Sequence, residues 1–281
     1  MSRLWIQFTG ELRKLFARKR TNLGFAAFVF VELFVAMLFE LKAVQAGLRV
    51  VIEGTGHKFD DYFSGLTLAF LILDYTVILI GALYIAMVAG DIVAKEVEDG
   101  TMRMLLCRPA SRLRILALKF LATSFYTFAL VVFIGLSSLA VGLALEGVGG
   151  LFAFAPLEEL RAFHPFPAGV WIYFRSLPFF AVSLLTINAV AFLFSCLDVK
   201  PVAATIGTLT IFFLDLVLRS HPFFQSVHPY FITSRMGIWV HTFRPDPQWA
   251  VIAEEYVRLL ALDATLFLIA WASFEQRDIK T

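Results

Sequence analysis

Five ionisable residues fall inside long apolar runs: Glu32, Asp74, Arg175, Asp215 and Asp263. A carboxylate or guanidinium surrounded by hydrocarbon is costly unless it is paired, hydrated or protonated, so residues of this type mark ion paths, gates or helix–helix contacts. By helix rise, Asp74, Arg175, Asp215 and Asp263 fall in the same half of their runs. Two readings follow. One is a polar layer lining a path, with Glu32 as the best single candidate for a path or interface role; its acid excess would favour cationic or amphipathic cargo. The other is local pairing, with Asp215 and Arg219 four residues apart on one helix and Arg175 neutralising an acid.

The second group lies between two apolar runs, in residues 90–119, GDIVAKEVEDGTMRMLLCRPASRLRILALK. This stretch is too polar for lipid and too patterned for a plain connector. Gly100 can end one helix in the left-handed cap conformation. Thr101 can N-cap a short second helix that presents Met104, Leu105 and Leu106 as an apolar knob. Pro109 stops that helix, and Ser111 can cap the next. Arg103, Arg108, Arg112 and Arg114 surround the knob, while Glu96 and Glu98 precede it. An apolar plug with a basic rim is suited to docking into a partner.

These groups are carried by a chain of 281 residues, 59% hydrophobic and 16% charged. Soluble domains are less apolar and more charged, so the composition points to a multi-span membrane protein and excludes disordered, collagen-like and disulfide-scaffold classes. A net charge of +2 gives no support to nucleic-acid binding. Six apolar runs predict six transmembrane helices at residues 22–41, 65–90, 120–145, 169–197, 201–218 and 253–274, helical because hydrocarbon leaves backbone amides no other partner. Pro201 suits a first helical position, and Pro178 is expected to kink or break its run. Residues 1–21 read as an amphipathic helix lying in the interface. Leu4, Trp5, Phe8, Leu12, Leu15 and Phe16 share one face, and Arg3, Gln7, Glu11, Lys14 and Arg18 lie mostly opposite. A solvated helix packed on a partner is the alternative. With the N-terminus cytoplasmic, inside segments hold 15 Lys/Arg and outside loops 7. That asymmetry places both termini in the cytoplasm. The loop at 219–252 is expected to rest as short helices on the outer membrane surface. The fold class is therefore all-α, one integral membrane domain over residues 1–281 (interface helix 1–21, coupling region 91–119, outer loop 219–252).

The run Glu96…Gly100-Thr101…Leu105-Leu106…Pro109…Ser111-Arg112…Lys119 resembles the permease subunit of type-2 ATP-binding-cassette (ABC) exporters. That family shows an acidic stretch, Gly-Thr, Leu-Leu, Pro-x-Ser-Arg and a Lys at the base of the third helix. The basic entry Glu11-Leu12-Arg13-Lys14…Arg18-Lys19-Arg20 and the ending Phe274…Arg277-Asp278 are similar too. Arg103 departs from the pattern, since the family often has an acidic or neutral residue there. The resemblance implies a plasma (cell inner) membrane permease that works as a homo- or heterodimer with two cytoplasmic ATPases. Residues 91–119 would contain the coupling helix that docks on them. It implies ATP-driven movement of an amphipathic, lipid-like or drug-like substrate out of the cytoplasm.

The chain has no G-x-x-x-x-G-K-[ST] loop, no H-E-x-x-H and no G-x-S-x-G. ATP and Mg²⁺ are therefore expected on the partner ATPase, with no cofactor and no metal in this chain. Cys107 and Cys196 read as free thiols. The five histidines (His57, His164, His221, His228, His241) all fall in outside loops at spacings that match no metal site. They are the one hint of a second reading, an accessory or assembly factor that supports metal-site maturation on an ABC permease scaffold.

Overall fold

The computed structural model describes residues 3–107 and 110–277. Arg108, Pro109 and Asp278 lie outside the described residues, as does the side chain of Leu106. The chain opens with the amphipathic helix α1 (Arg3–Phe16). It continues into α2 (Lys19–Phe39) and α3 (Lys42–Glu53), which meet at a bend of 69°. After a turn, α4 (Phe59–Tyr62), come α5 (Gly65–Thr76), a π-helical segment (Val77–Gly81) and α6 (Ala82–Glu98), which follow one another without a break. The short α7 (Thr101–Leu106) leads to α8 (Arg112–Glu146). A β-hairpin, β1 (Leu151–Ala155) and β2 (Leu160–His164), precedes α9 (Phe166–Cys196). Then come α10 (Pro201–Ser220), a 3₁₀ turn, α11 (Ile232–Met236), a second 3₁₀ turn over Gly237–Phe243, and α12 (Trp249–Gln276).

Among the described residues, α8, α9, α10 and α12 are each long and apolar enough to cross a bilayer, and the bent pair α2–α3 counts as a fifth. The central member is α9, which packs on α6, α8, α10 and α12. It runs unbroken through Pro178, so no break occurs there. Small residues set the closest approach, as in helix pairs within lipid. Gly65 of α5 and Gly142 of α8 meet backbone to backbone, and a Cβ on Gly142 would collide with the Gly65 carbonyl. Pro201 opens α10 as expected.

Two outer segments differ from the sequence reading. The hairpin is an addition to the all-helical expectation. In β2 Leu160, Ala162 and His164 are buried at every second position, the period-2 pattern of a half-buried strand, whereas in β1 Leu151, Phe152, Ala153 and Ala155 are all buried. Thr67 of α5 pins it by accepting the Phe152 N–H at 2.7 Å. The loop between α10 and α12 does not simply rest on a surface: Met236, Ile238, Trp239, Val240 and Phe243 are buried. Trp239 stacks on Phe180 with centroids 4.0 Å apart, and Phe243 meets Phe70 edge-on at 4.9 Å. Burying these rings gains more than leaving them against headgroups, and the 3₁₀ turns satisfy the loop's backbone internally.

Candidate functional site: the α6–α8 turn, its anchor and a lateral cavity

Gly100 adopts φ +71°, the left-handed conformation that ends α6 and reverses the chain into α7. Thr101 is not the N-cap. It is the first residue of α7, and its Oγ1 donates to the Glu96 carbonyl at 3.2 Å, closing the C-terminus of α6 instead. Met102 is fully buried and fixes α7 to the bundle. Leu105 packs partly against the core, whereas Met104 projects outward, 67% exposed. Ser111 accepts the Arg114 N–H at 3.3 Å and caps α8 as expected.

Glu96 and Arg112 do not belong to the exposed rim. Glu96 is buried and pairs with Lys119 at 2.8 Å, and Lys119 pairs with Glu11 of α1 at 2.9 Å. Lys14 closes the cluster, 2.7 Å from Glu11 and 3.8 Å from Glu96. Lys119 itself has only 1% of its side chain exposed. A lone ammonium so placed would be prohibitively costly, so it draws both carboxylates inward. Burial works to raise the Glu11 carboxyl, but the charges of Lys119 and Lys14 outweigh it and hold Glu11 below its usual value. Arg112 donates to the carbonyls of Phe274, Glu275 and Arg277 and so satisfies the C-terminal end of α12. Glu98 stays at the surface, 3.3 Å from Lys95. The coupling region is thus tied to α1 by ion pairs and to α12 by hydrogen bonds.

The five intramembrane charges are not brought together. Glu32 is fully buried and accepts from Ser137 of α8 at 2.7 Å through Oε1, while its Oε2 has no partner. Asp263 is buried beside Thr186 of α9, with neither oxygen hydrogen-bonded. Asp215 takes the N–H groups of Ile232 and Thr233 at 3.1 and 2.8 Å and so caps α11. Arg175 pairs with no acid among the described residues. It donates to the Thr242 carbonyl at 2.6 Å and lies 4.9 Å over the Trp249 ring.

Asp74 alone of the five faces a cavity. This space, about 760 Å³, is half open at the side of the bundle and is lined by α5, the π segment, α6, the hairpin turn, α9, α10 and the loop before α12, with Phe180, Phe212 and Trp239 among its walls. Two further charged residues line it, Glu158 and Arg219, joined at 2.8 Å. Arg219 was assigned by spacing to Asp215; it turns instead to Glu158, in the hairpin turn. That pairing joins residues 61 apart, beyond any helical periodicity.

The histidines serve the loops. His164 Nε2 donates to the Phe243 carbonyl at 2.6 Å, and His228 accepts from Arg219 at 3.2 Å. His57 stacks on Phe163. Among the described residues, no three His, Cys, Asp or Glu side chains form a metal-sized group.

Several long apolar helices packed around α9 define a multi-pass membrane protein. Residues 8–197 match the family described as ABC-2 family transporter protein. The chain belongs to that family and is the membrane-spanning permease component of an ABC transporter, a role that implies association with ABC ATPase subunits. Comparison with curated proteins gives no match.

Proposed function

We propose that the protein is the permease subunit of an ATP-driven exporter with six transmembrane spans, formed by α2, the continuous α5–α6 unit, α8, α9, α10 and α12. Both termini lie in the cytoplasm and α1 lies in the interface of the plasma membrane. Two copies of the permease, or this chain and a homologous one, work with two cytoplasmic ATPases that hold ATP and Mg²⁺. Their closure pushes on α7. The force passes through α6 and the Lys119 cluster into the bundle, shifting helices as packed units. The substrate is an amphipathic molecule carried outward.

The observation that carries this reading is α7 itself: one methionine buried as an anchor, the next presented outward, on a base made rigid by ion pairs. Co-expression with the ATPase followed by co-purification tests it. Met104→Asp and Leu105→Asp are expected to abolish co-purification. Met104→Asp should leave melting unchanged, since that side chain makes little contact with the bundle. Full recovery of the ATPase with Met104→Asp would remove α7 as the docking element.

A further inference from the structure

The lateral cavity carries more chemistry than a greasy path needs. Of the three charged residues that line it, two neutralise each other. Arg219, 7% exposed, pairs with Glu158, donates from Nη1 to the Thr233 carbonyl at 2.9 Å, and donates from Nε to His228. Asp74 is left with no hydrogen bond or ion pair among the described residues. Asp74 lies nine residues into its run, roughly 13 Å from the start of α5 at 1.5 Å per residue. An unpaired carboxylate at that depth is the signature of a site whose partner arrives from elsewhere. The rest of the wall is mostly apolar: Tyr75 is exposed and can present its ring to a cation, while Phe180 and Trp239, stacked on each other, line the space as apolar surface. A cavity of about 760 Å³ accommodates a drug-sized molecule.

We propose that this cavity binds lipophilic monocations, an ammonium or phosphonium centre on an aromatic or alkyl body, with the Asp74 carboxylate as counter-ion and the rings of α9 and the outer loop around the body. The proposal rests on the permease reading and narrows its substrate class. An anion of the same shape meets the field of Asp74, with Glu158 already neutralised by Arg219, and is rejected, because discrimination comes as much from repulsion as from attraction.

The test uses the full chain in phosphatidylcholine nanodiscs and measures equilibrium binding of radiolabelled tetraphenylphosphonium, corrected for empty discs. Tetraphenylborate serves as a probe of matching shape and opposite charge. The native chain should bind the phosphonium saturably and prefer it to the borate by about tenfold or more. Asp74→Asn should remove most of that preference, and Asp74→Glu should retain it. Leu209→Trp, which fills the cavity from α10, should abolish saturable binding of the phosphonium. Equal affinity of the native chain for the two probes overturns the proposal, and that arm needs no variant to fold. So does phosphonium binding that survives Leu209→Trp, or a preference unchanged in Asp74→Asn. These measurements need no ATPase. Failure here leaves α7 docking standing, and failure of ATPase co-purification leaves the charge preference readable.

Discussion

Replacing Lys119 with methionine keeps the length of the side chain and removes its charge. In the native chain the ammonium lies 2.9 Å from Glu11 and 2.8 Å from Glu96, both nearly buried. Lys119→Met leaves those carboxylates facing each other, with only the half-exposed Lys14 between them, and Lys14 reaches Glu96 no closer than 3.8 Å. Removing one partner from a buried ion cluster costs about 3–5 kcal/mol, because the groups left behind stay desolvated. Taking about 3 kcal/mol as the share that acts on the α1 contact, the detached population rises roughly a hundredfold. Arg18, between α1 and α2, and Lys19-Arg20, at the start of α2, offer trypsin its cleavage sites. Limited trypsinolysis in nanodiscs, followed by mass spectrometry, should therefore show much faster release of α1 from Lys119→Met than from the native chain. The triple variant Lys119→Met/Glu11→Gln/Glu96→Gln leaves no uncompensated charge and should recover most of the protection. Equal cleavage rates for the native chain and Lys119→Met would refute the claim that the cluster holds α1. A triple variant no better than the single one would show that lost packing, not orphaned charge, is the cause.

Gly142→Leu drives a side chain into the Gly65 carbonyl where α5 and α8 touch, and it should lower stability by about 1–3 kcal/mol in thermal melts. Gly47→Ala, inside α3 with no atom within 4 Å of the new Cβ, is the control and should leave stability unchanged or raise it by up to about 1 kcal/mol. Acid should loosen α1. Glu11 is held below its unfolded value, so its pairing contributes fully above the ordinary carboxylate pKa and fades as pH falls through the lowered one. Burial, with help from Arg244, likewise holds His241 below its usual value, so its contribution to stability fades as pH falls through the ordinary histidine range. A melting-temperature profile between about pH 7 and pH 3 should decline, and Glu11→Gln should flatten its acid end, below the ordinary carboxylate pKa, while lowering the neutral plateau.

Local rules carried the sequence reading furthest where one residue decides a backbone outcome. Gly100 reverses the chain with positive φ, Ser111 caps α8 and Pro201 starts α10. The long helices were legible because lipid leaves the backbone a single solution. What stayed hidden depends on which helices become neighbours. Glu11 and Lys119 are 108 residues apart, and nothing in either segment announces the other. Glu11 even sat on what reads as the polar face of α1. Asp215 and Arg219 show the opposite failure, since correct i,i+4 spacing lost to better partners from the outer loop and the hairpin. Part of the hairpin was detectable, because LRAFH places its buried residues at every second position, whereas LFAFA is buried almost throughout and carries no such period. Their brevity between strong helices masked it.

The π segment at Val77–Gly81 gives one rod two phases. A π turn accommodates one residue more than ordinary winding, and each residue of an α-helix turns the rod by about 100°. The face that α5 shows to the cavity and the face from which α6 launches α7 are therefore set relative to each other by that single surplus residue. Excising it would leave every downstream side chain chemically unchanged but turned away from its present partner. Met104 would swing about a quarter-circle around the bundle, and the carboxylate of Glu96 would leave the vicinity of Lys119.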